Sequence, residues 1–457
     1  MIVKGLQFIR KTLKTYFDKI KNERIKLLLL QALPFWLASV ITGLLAVGYA
    51  LLFRAAENGA SYFYQHSKWF FLVITPACFL IAAWLVRRFA PYSRGSGIPQ
   101  VATSIDLSTP KSNHLVDKLL SIRVIVIKIV SSCIMALGGG VIGREGPTIQ
   151  IAGSVFRKIN LWLPDWWPKI SKRNMVMTGA AAGLAAAFNT PLGGIVFAME
   201  ELTKTHISFY KTAIFSAVII AGLTAQALLG PYLYLGYPDV GAGGIMIFIV
   251  VVIVSVICGF LSAVQCKLIL KILRKKASFQ GKWKQFLFIF FCALTLAVIA
   301  CSTSQLYMNS GKDLMTQLLF TQDKTVGWYT PLLRMIGSIV SFISGGAGGV
   351  FAPALCSGAT IGSMFSGWFM MSGPASNIII LSGMVAFLTG ITRSPFTSAI
   401  LVLEMTDGHN IIFHLMLAAM AANLIAYFVD KHSFYDHLKK QYIVELKKEA
   451  TIKSVEK

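Results

Sequence analysis

Two passages of this chain put a reactive or bulky side chain just ahead of a proline-led helix, and they are two copies of one passage. Gly138 to Pro147 reads GGGVIGREGP and Ser344 to Pro353 reads SGGAGGVFAP. Further along, each is followed by a Gly-rich stretch ending on an acid: GAAAGLAAAFNTPLGGIVFAME, Gly179 to Glu200, and GMVAFLTGITRSPFTSAILVLE, Gly383 to Glu404. In both, glycine to proline is 12 positions and proline to glutamate is 9. A helix that starts inside hydrocarbon leaves backbone N–H groups unpaired and carries roughly half a positive charge at that end. Such groups must line a protein cavity or meet a ligand, and an anion is the natural guest. Glu145, in GREGP, is a carboxylate in front of such a start. Placing it near mid-bilayer costs about 2.5–3.5 kcal/mol. Ionised, it fills an anion's place; protonated, it leaves, so anion and proton compete for one position.

Three more places carry candidate ligands. GSGIP, Gly95–Pro99, offers the Ser96 hydroxyl on a tight backbone ahead of a short helix, and a plain helix cap is its other reading. GGVFAP, Gly348–Pro353, has Phe351 where the first copy has Glu145. There Val350 and Phe351 would present main-chain N–H groups while the ring narrows a path; a core phenylalanine in a Gly-rich seam is the alternative. Glu200 and Glu201 close the helix begun near Pro191, with Glu404 as the repeat equivalent of Glu200. Consecutive helical positions point about 100° apart, so at most one of the pair faces an interior path, and a solvated helix end accounts equally for both. For Arg144 and Glu145 the competing reading is an ion pair, although adjacent residues rarely face each other.

Nothing here reads as an enzyme. HExxH is absent, and His66, His114, His206, His409, His414, His432 and His437 are scattered at loops and ends without metal-ligand spacing. Ser96 has no histidine in an apolar partner segment, which argues against an intramembrane hydrolase. No catalytic residue, metal or cofactor is expected.

The elements that must hold these residues are membrane helices. The 457 residues are 55% hydrophobic and 14% charged, with mean hydropathy +0.66, too little polar surface to clothe a soluble globule. Leu27–Phe53, Trp69–Val86, Ala213–Leu229, Ile245–Val264 and Ile411–Val429 are mostly long enough to cross roughly 30 Å of hydrocarbon as helices. Their lack of alternation excludes a closed barrel. The net charge of +24 reads as topology rather than nucleic-acid binding, because Lys and Arg crowd the termini and short loops: Lys4 to Lys26, Arg274–Lys276 and Lys431 to Lys448. Both ends are expected to face the cytoplasm. The seven cysteines, without CxxC spacing, read as packing residues. We divide the chain into a basic amphipathic helix (1–26), a first transmembrane repeat (27–230), a linker (231–244), a second repeat (245–440) and a charged cytoplasmic tail (441–457). Paired Gly/Pro-broken segments in corresponding halves point to a transport site at the repeat interface.

Together GSGIP, GREGP, GGVFAP and TGAAAGLAAAFNTPLGGIVFAMEEL resemble the CLC family of chloride channels and transporters, from about Leu27 to His437. The resemblance implies an all-α integral membrane protein of tilted, broken helices in inverted repeats. It implies a homodimer with one pathway per subunit and dimer contacts around Pro191–Leu229 and Pro395–Val429. Ser96 matches the serine of the central anion site, completed by the N–H groups of Val350 and Phe351, and Tyr435 in HSFYDHL matches the tyrosine closing its inner side. The N–H groups of Arg144 to Gly146 would serve an outer site, and those of Gly95 and Ser96 an inner one. Glu145 matches the gating glutamate, Glu201 the inner proton-transfer glutamate, and Lys128 a buried basic residue that makes the path positive. Gln100 stands where the family often has an acid, and Ile129–Cys133 lacks the glycines of many members. The implied function is chloride/proton antiport across the inner (plasma) membrane; an uncoupled voltage- or pH-gated channel of the same fold, or transport of another halide, is the alternative.

Overall fold

The computed structural model describes residues 12, 14–110, 112–203, 211–230, 233–241, 244–279, 281–371 and 373–455. Among them the chain is helical, and its extended pairing is confined to two isolated bridges. The first half carries α1 (Glu23–His66), α2 (Phe71–Phe89), α3 (Ile98–Leu107), α4 (Ile122–Leu137), α5 (Glu145–Trp162), α6 (Lys172–Phe188), α7 (Pro191–Phe197) and α8 (Lys211–Leu229). The second carries α9 (Ile245–Ala277), α10 (Lys282–Ser302), α11 (Lys312–Phe320), α12 (Tyr329–Ser344), α13 (Phe351–Trp368), α14 (Gly373–Thr392), α15 (Pro395–Thr406), α16 (Ile412–Val429) and α17 (Phe434–Val455).

Eight of these helical stretches are long and apolar enough to cross a membrane, the expected apolar runs among them. At 1.5 Å per residue, the 44 residues of α1 reach roughly 66 Å, about twice the hydrocarbon thickness, so α1 is tilted or projects beyond the bilayer. The span in α14 has 94% of its window buried inside the protein, against 33–44% for the others. It is the central post, screened from lipid by its neighbours.

The duplicated sequence folds twice into the same unit. In each, an 18-residue helix packs against the Gly-rich helix that follows: α5 on α6, α13 on α14. Glycine makes the contact close. A Cβ on Gly183 would come 2.6 Å from the Ala152 methyl, and one on Gly362 would come 2.7 Å from the Ile379 carbonyl oxygen. Small residues at such crossings let helices approach where lipid supplies no hydrophobic driving force.

Three expectations change. The helices led by Pro147 and Pro353 are expected to start at those prolines, but α5 and α13 start two residues earlier, at Glu145 and Phe351. The first four N–H groups of a helix have no intrahelical acceptor, so proline is tolerated throughout that first turn. α5 also runs on to Trp162, carrying Arg157, which pairs with Asp117 at 2.7 Å. Second, residues 441–455 are no separate tail, because α17 passes through position 440 unbroken. Tyr442 and Leu446 are buried, and Glu445, Glu449 and Lys439 are paired: Arg94–Glu445 at 2.5 Å, Lys118–Glu449 at 2.5 Å and Lys439–Asp106 at 2.6 Å. Third, residues 1–11 and 13 of the 1–26 helix lie outside the described residues, and its described part is interrupted at Lys19–Asn22. Asn22 caps α1 by accepting from the Arg24 and Ile25 N–H groups at 3.1 and 3.2 Å, so Glu23–Lys26 belongs to α1. All seven cysteines are free thiols.

Candidate functional site

Three glycine-rich loops, far apart in sequence, are sewn together at the centre. Gly95 donates to the Gly346 carbonyl at 2.9 Å and accepts from the Gly348 N–H at 3.1 Å; Gly143 and Gly349 exchange both bonds, at 2.8 and 2.7 Å. Irregular backbone at membrane depth must satisfy its own polar groups, and here the loops before α3, α5 and α13 satisfy one another. Three helix starts are thereby aimed at one region. The fit is tight: Gly97 has φ +109°, and a Cβ on Gly146 would overlap the Ser96 side chain.

Neither α5 nor α13 has a side-chain cap, since Arg144 and Val350 stand at the two cap positions without capping bonds. The Glu145 carboxyl supplies what is missing. It lies against the N–H groups of residue 145 itself and of Ala352, folded over Gly143, where only a glycine leaves room for it. The Tyr234 hydroxyl reaches its Oε1 at 3.5 Å. A carboxylate seated at two converging helix starts marks where a small anion would be held.

Beside it, buried polar atoms lack partners. The Ser96 and Tyr435 hydroxyls lie near each other, yet neither makes a well-formed hydrogen bond, and Glu145 Oε2 has none either. Ser96, Tyr435 and Glu145 are at most 2% exposed. Buried donors are nearly always satisfied, so two unsatisfied hydroxyls converging on one point indicate a site for an acceptor. Phe351 is fully buried; its ring is 6.3 Å from Phe188, which is 5.0 Å from Tyr234. Lys128, also fully buried, donates to the Ser93 and Gly95 carbonyls at 2.9 and 2.7 Å. Its charge thus sits behind the Ser96 loop rather than in the cavity.

Cavities approach this centre from two directions. One of about 250 Å³ reaches Gly95 and Phe342 and is lined by Arg87, Arg94 and Lys276. Another of about 30 Å³ reaches Glu145 and is lined by Arg54, Glu57, Arg144 and Lys312. Arg87 ends α2, while Arg54 and Glu57 lie toward the end of the preceding α1. Since α1 and α2 run in opposite directions across the membrane, the two cavities open to opposite faces. Both are rich in cations, as an anion's entry and exit would require.

The two halves also exchange acids. Glu200, after α7, accepts from the Phe396 and Thr397 N–H groups at 3.2 and 2.7 Å, the first turn of α15. Glu404, on α15, accepts from the Leu192 and Gly193 N–H groups at 3.0 and 2.6 Å, the first turn of α7. Each repeat thus caps the other's broken helix. Glu201, in the π-helical turn Ala198–Thr203, is drawn elsewhere: the Ser394 hydroxyl donates to its Oε2 at 2.7 Å, and it lies within electrostatic reach of Tyr435. The consecutive acids are divided as their angular separation demands, Glu200 going to the head of α15 and Glu201 to Ser394.

Gly95, Ser96, Arg144, Glu145, Gly146, Val350, Phe351 and Tyr435 all line or adjoin this centre. One expected donor is engaged: the Gly95 N–H is bonded to Gly346, so it is not open to an anion as the sequence led us to expect. Residues not anticipated are Ala352, whose N–H faces the Glu145 carboxyl, Tyr234, and Glu57, whose signal was an acid just past the apolar run Leu27–Phe53. Gln100, where the resemblance leads one to expect an acid, donates to the Arg94 carbonyl at 2.7 Å and the Tyr442 hydroxyl at 3.1 Å, a task a carboxylate cannot perform. Histidines without sequence spacing do meet: Asp430, His432 and His437, which flank Tyr435 in sequence, hold ligand atoms within 4.8 Å of one another, a donor set suited to a divalent cation, although Asp430 and His437 already pair at 3.1 Å.

The family model described as "Voltage gated chloride channel" matches residues 78–427. An H(+)/Cl(-) exchange transporter ClcA of Cronobacter sakazakii is 28% identical over 375 residues, covering 78% of this chain and 76% of that protein. One of Citrobacter koseri is 26% identical over 434 residues, covering 91% and 89%. The fold is similar to the crystal structure of a slow cyanobacterial Cl-/H+ antiporter, with TM-score 0.80, 21% identity, and 91% and 98% of the two chains covered. It is also similar to that of a CLC-type fluoride/proton antiporter, with TM-score 0.74, 19% identity, and 90% and 98% covered.

Proposed function

Because the chain belongs to the voltage gated chloride channel family, the CLC proteins, we propose that it exchanges chloride for protons across the membrane. The observation that carries this reading is the Glu145 carboxyl seated on the amides at the heads of α5 and α13, beside the unpartnered Ser96 and Tyr435 hydroxyls. Ionised, Glu145 occupies the place of an anion; protonated, it loses the charge that holds it there and chloride takes the seat. Val350, Phe351 and Arg144 to Gly146 contribute main-chain N–H groups, Ser96 and Tyr435 hydroxyls, and Lys128 a favourable potential. Glu201, held by Ser394, supplies protons from the face that carries Tyr435. The names of the aligned relatives agree with this exchange.

All of these groups come from one chain, which supports one pathway per subunit. A homodimer would pair the apolar faces of α7–α8 and α15–α16, where Leu192, Ile219, Leu223, Phe413 and Met420 are exposed. The excess of Lys and Arg at both ends supports cytoplasmic termini, with Glu145 toward the outside. Moving one charge through 100 mV is worth about 2.3 kcal/mol, so the exchanger would respond to voltage and proton gradient alike.

Proteoliposomes with a chloride gradient and a pH electrode test the reading. Chloride efflux is expected to drive protons inward against their gradient. Chloride flux with no accompanying protons would make the protein an uncoupled channel, and coupled flux of fluoride in place of chloride would reassign the halide. Glu200, by contrast, is expected to matter for stability alone. Glu200→Ala removes the acceptor for two N–H groups of α15, a loss of about 0.5–2 kcal/mol by analogy with N-caps, read as a lowered Tm in detergent with the chloride-to-proton ratio unchanged. A changed ratio at unchanged Tm would place Glu200 in the proton path.

A further inference from the structure

A carboxylate at the mouth of an anion path works against anion entry, and Glu57 is such a carboxylate. Half-buried on α1, it lines the cavity of about 30 Å³ that it shares with Glu145. It also lines a neighbouring cavity of about 130 Å³ formed with Asn58, Gln305 and Asn309, which Glu145 does not touch. Glu57 is therefore a wall common to both, between Glu145 and the wider space. It is held in place by Ser310, whose N–H and hydroxyl donate to Oε1 at 3.0 and 2.7 Å.

The shared cavity is large enough and polar enough to hold water, and proton transfer between carboxyl groups is effective through one water. We propose that Glu57 is a second protonatable carboxylate that exchanges protons with Glu145 through a single water in that cavity, on the face away from Tyr435. The step is a relay: the Glu145 carboxyl gives its proton to the water, the water gives one of its own to the Glu57 carboxylate, and the water is restored. Glu145 is left ionised and Glu57 neutral. Glu57 then releases its proton into the larger cavity. The charged and titratable groups around it are Arg54 on its own helix, Arg144 and Glu145 at the head of α5, Tyr234 from the connection after α8, and Lys312 and Asp313 at the head of α11. Arg54, Arg144 and Lys312 line the same cavity, so the negative charge that passes between the two acids stays beside cations throughout. This role rests on the antiport reading above.

The test is simultaneous chloride and proton flux of the full chain in proteoliposomes, as a function of pH on the Glu145 face. Glu57→Gln keeps an acceptor for Ser310 but cannot ionise. We expect its proton turnover to fall by about tenfold, less than the hundredfold of a fully committed acid–base group because water still reaches Glu145, with chloride turnover within about twofold and the pH profile of proton flux shifted. Ser310→Ala loosens the side chain and keeps the acid, and Asp313→Asn removes a neighbouring charge; both are expected to retain proton flux. Wild-type proton flux and profile in Glu57→Gln would overturn the proposal. So would Ser310→Ala or Asp313→Asn reproducing Glu57→Gln, or both fluxes falling together in Glu57→Gln and Glu57→Asp, which is what a purely structural role predicts. Failure of the underlying reading looks different, since the wild type itself would then pass chloride with no accompanying protons.

Discussion

Glu145→Gln is expected to abolish proton movement while chloride continues to cross. The glutamine keeps the size of the side chain, so α5, α13 and the loop pairing around Gly143 and Gly349 should be undisturbed. What disappears is the charge that seats the carboxyl on the amides of residue 145 and Ala352, and with it the ability to pick up a proton. A neutral amide no longer competes as an anion, so chloride has the place to itself. In the wild type, lowering the pH on that face neutralises Glu145 and opens the seat, and chloride flux is expected to rise. In Glu145→Gln this dependence should vanish along with the proton current. Flux at several pH values in proteoliposomes reads both outcomes, and residual uphill proton transport in the variant would remove Glu145 from the mechanism.

Glu201→Val is expected to give an equally complete loss of proton transport by a different route. Glu200 is held at the head of α15 by two N–H groups and the Thr397 hydroxyl, so it is not placed to substitute. Chloride meets no group of residue 201 in the arrangement described above, and its flux should persist. The two variants are separable by pH. Glu145 still titrates in Glu201→Val, so chloride flux should keep its response to pH, whereas in Glu145→Gln it should be flat. Identical pH behaviour in the two would mean that the acids act as one group rather than as carriers at opposite ends.

Much of the scaffold was legible because it is local. Length and apolarity identify the spans, and the duplicated Gly/Pro spacing identifies which helices are broken and which residues stand ahead of their first turns. The placement of Ser96, Glu145 and Phe351 at helix starts follows from that spacing alone. Errors arose where a local pattern was asked to define an end. Proline does not mark the first residue of α5 or α13, because its missing N–H is harmless anywhere in the first turn, and the charge of residues 441–455 signalled a tail although its acids Glu445 and Glu449 find partners on the loops beside α3.

Composition and repetition therefore determined by themselves that this is a two-fold repeated bundle of membrane helices whose broken starts suit an anion, with one acid at the critical start. Tertiary structure alone decided which donors are open: the Gly95 N–H is closed off by Gly346, 251 positions away, and Ala352 takes part instead. It likewise assigned Glu200 to a helix end and Glu201 to Ser394, and set Glu57 beside Glu145. The reason is physical: a backbone pattern fixes where an N–H is left over, but whether it meets a carbonyl, a carboxylate or an ion depends on which distant segment the fold lays against it.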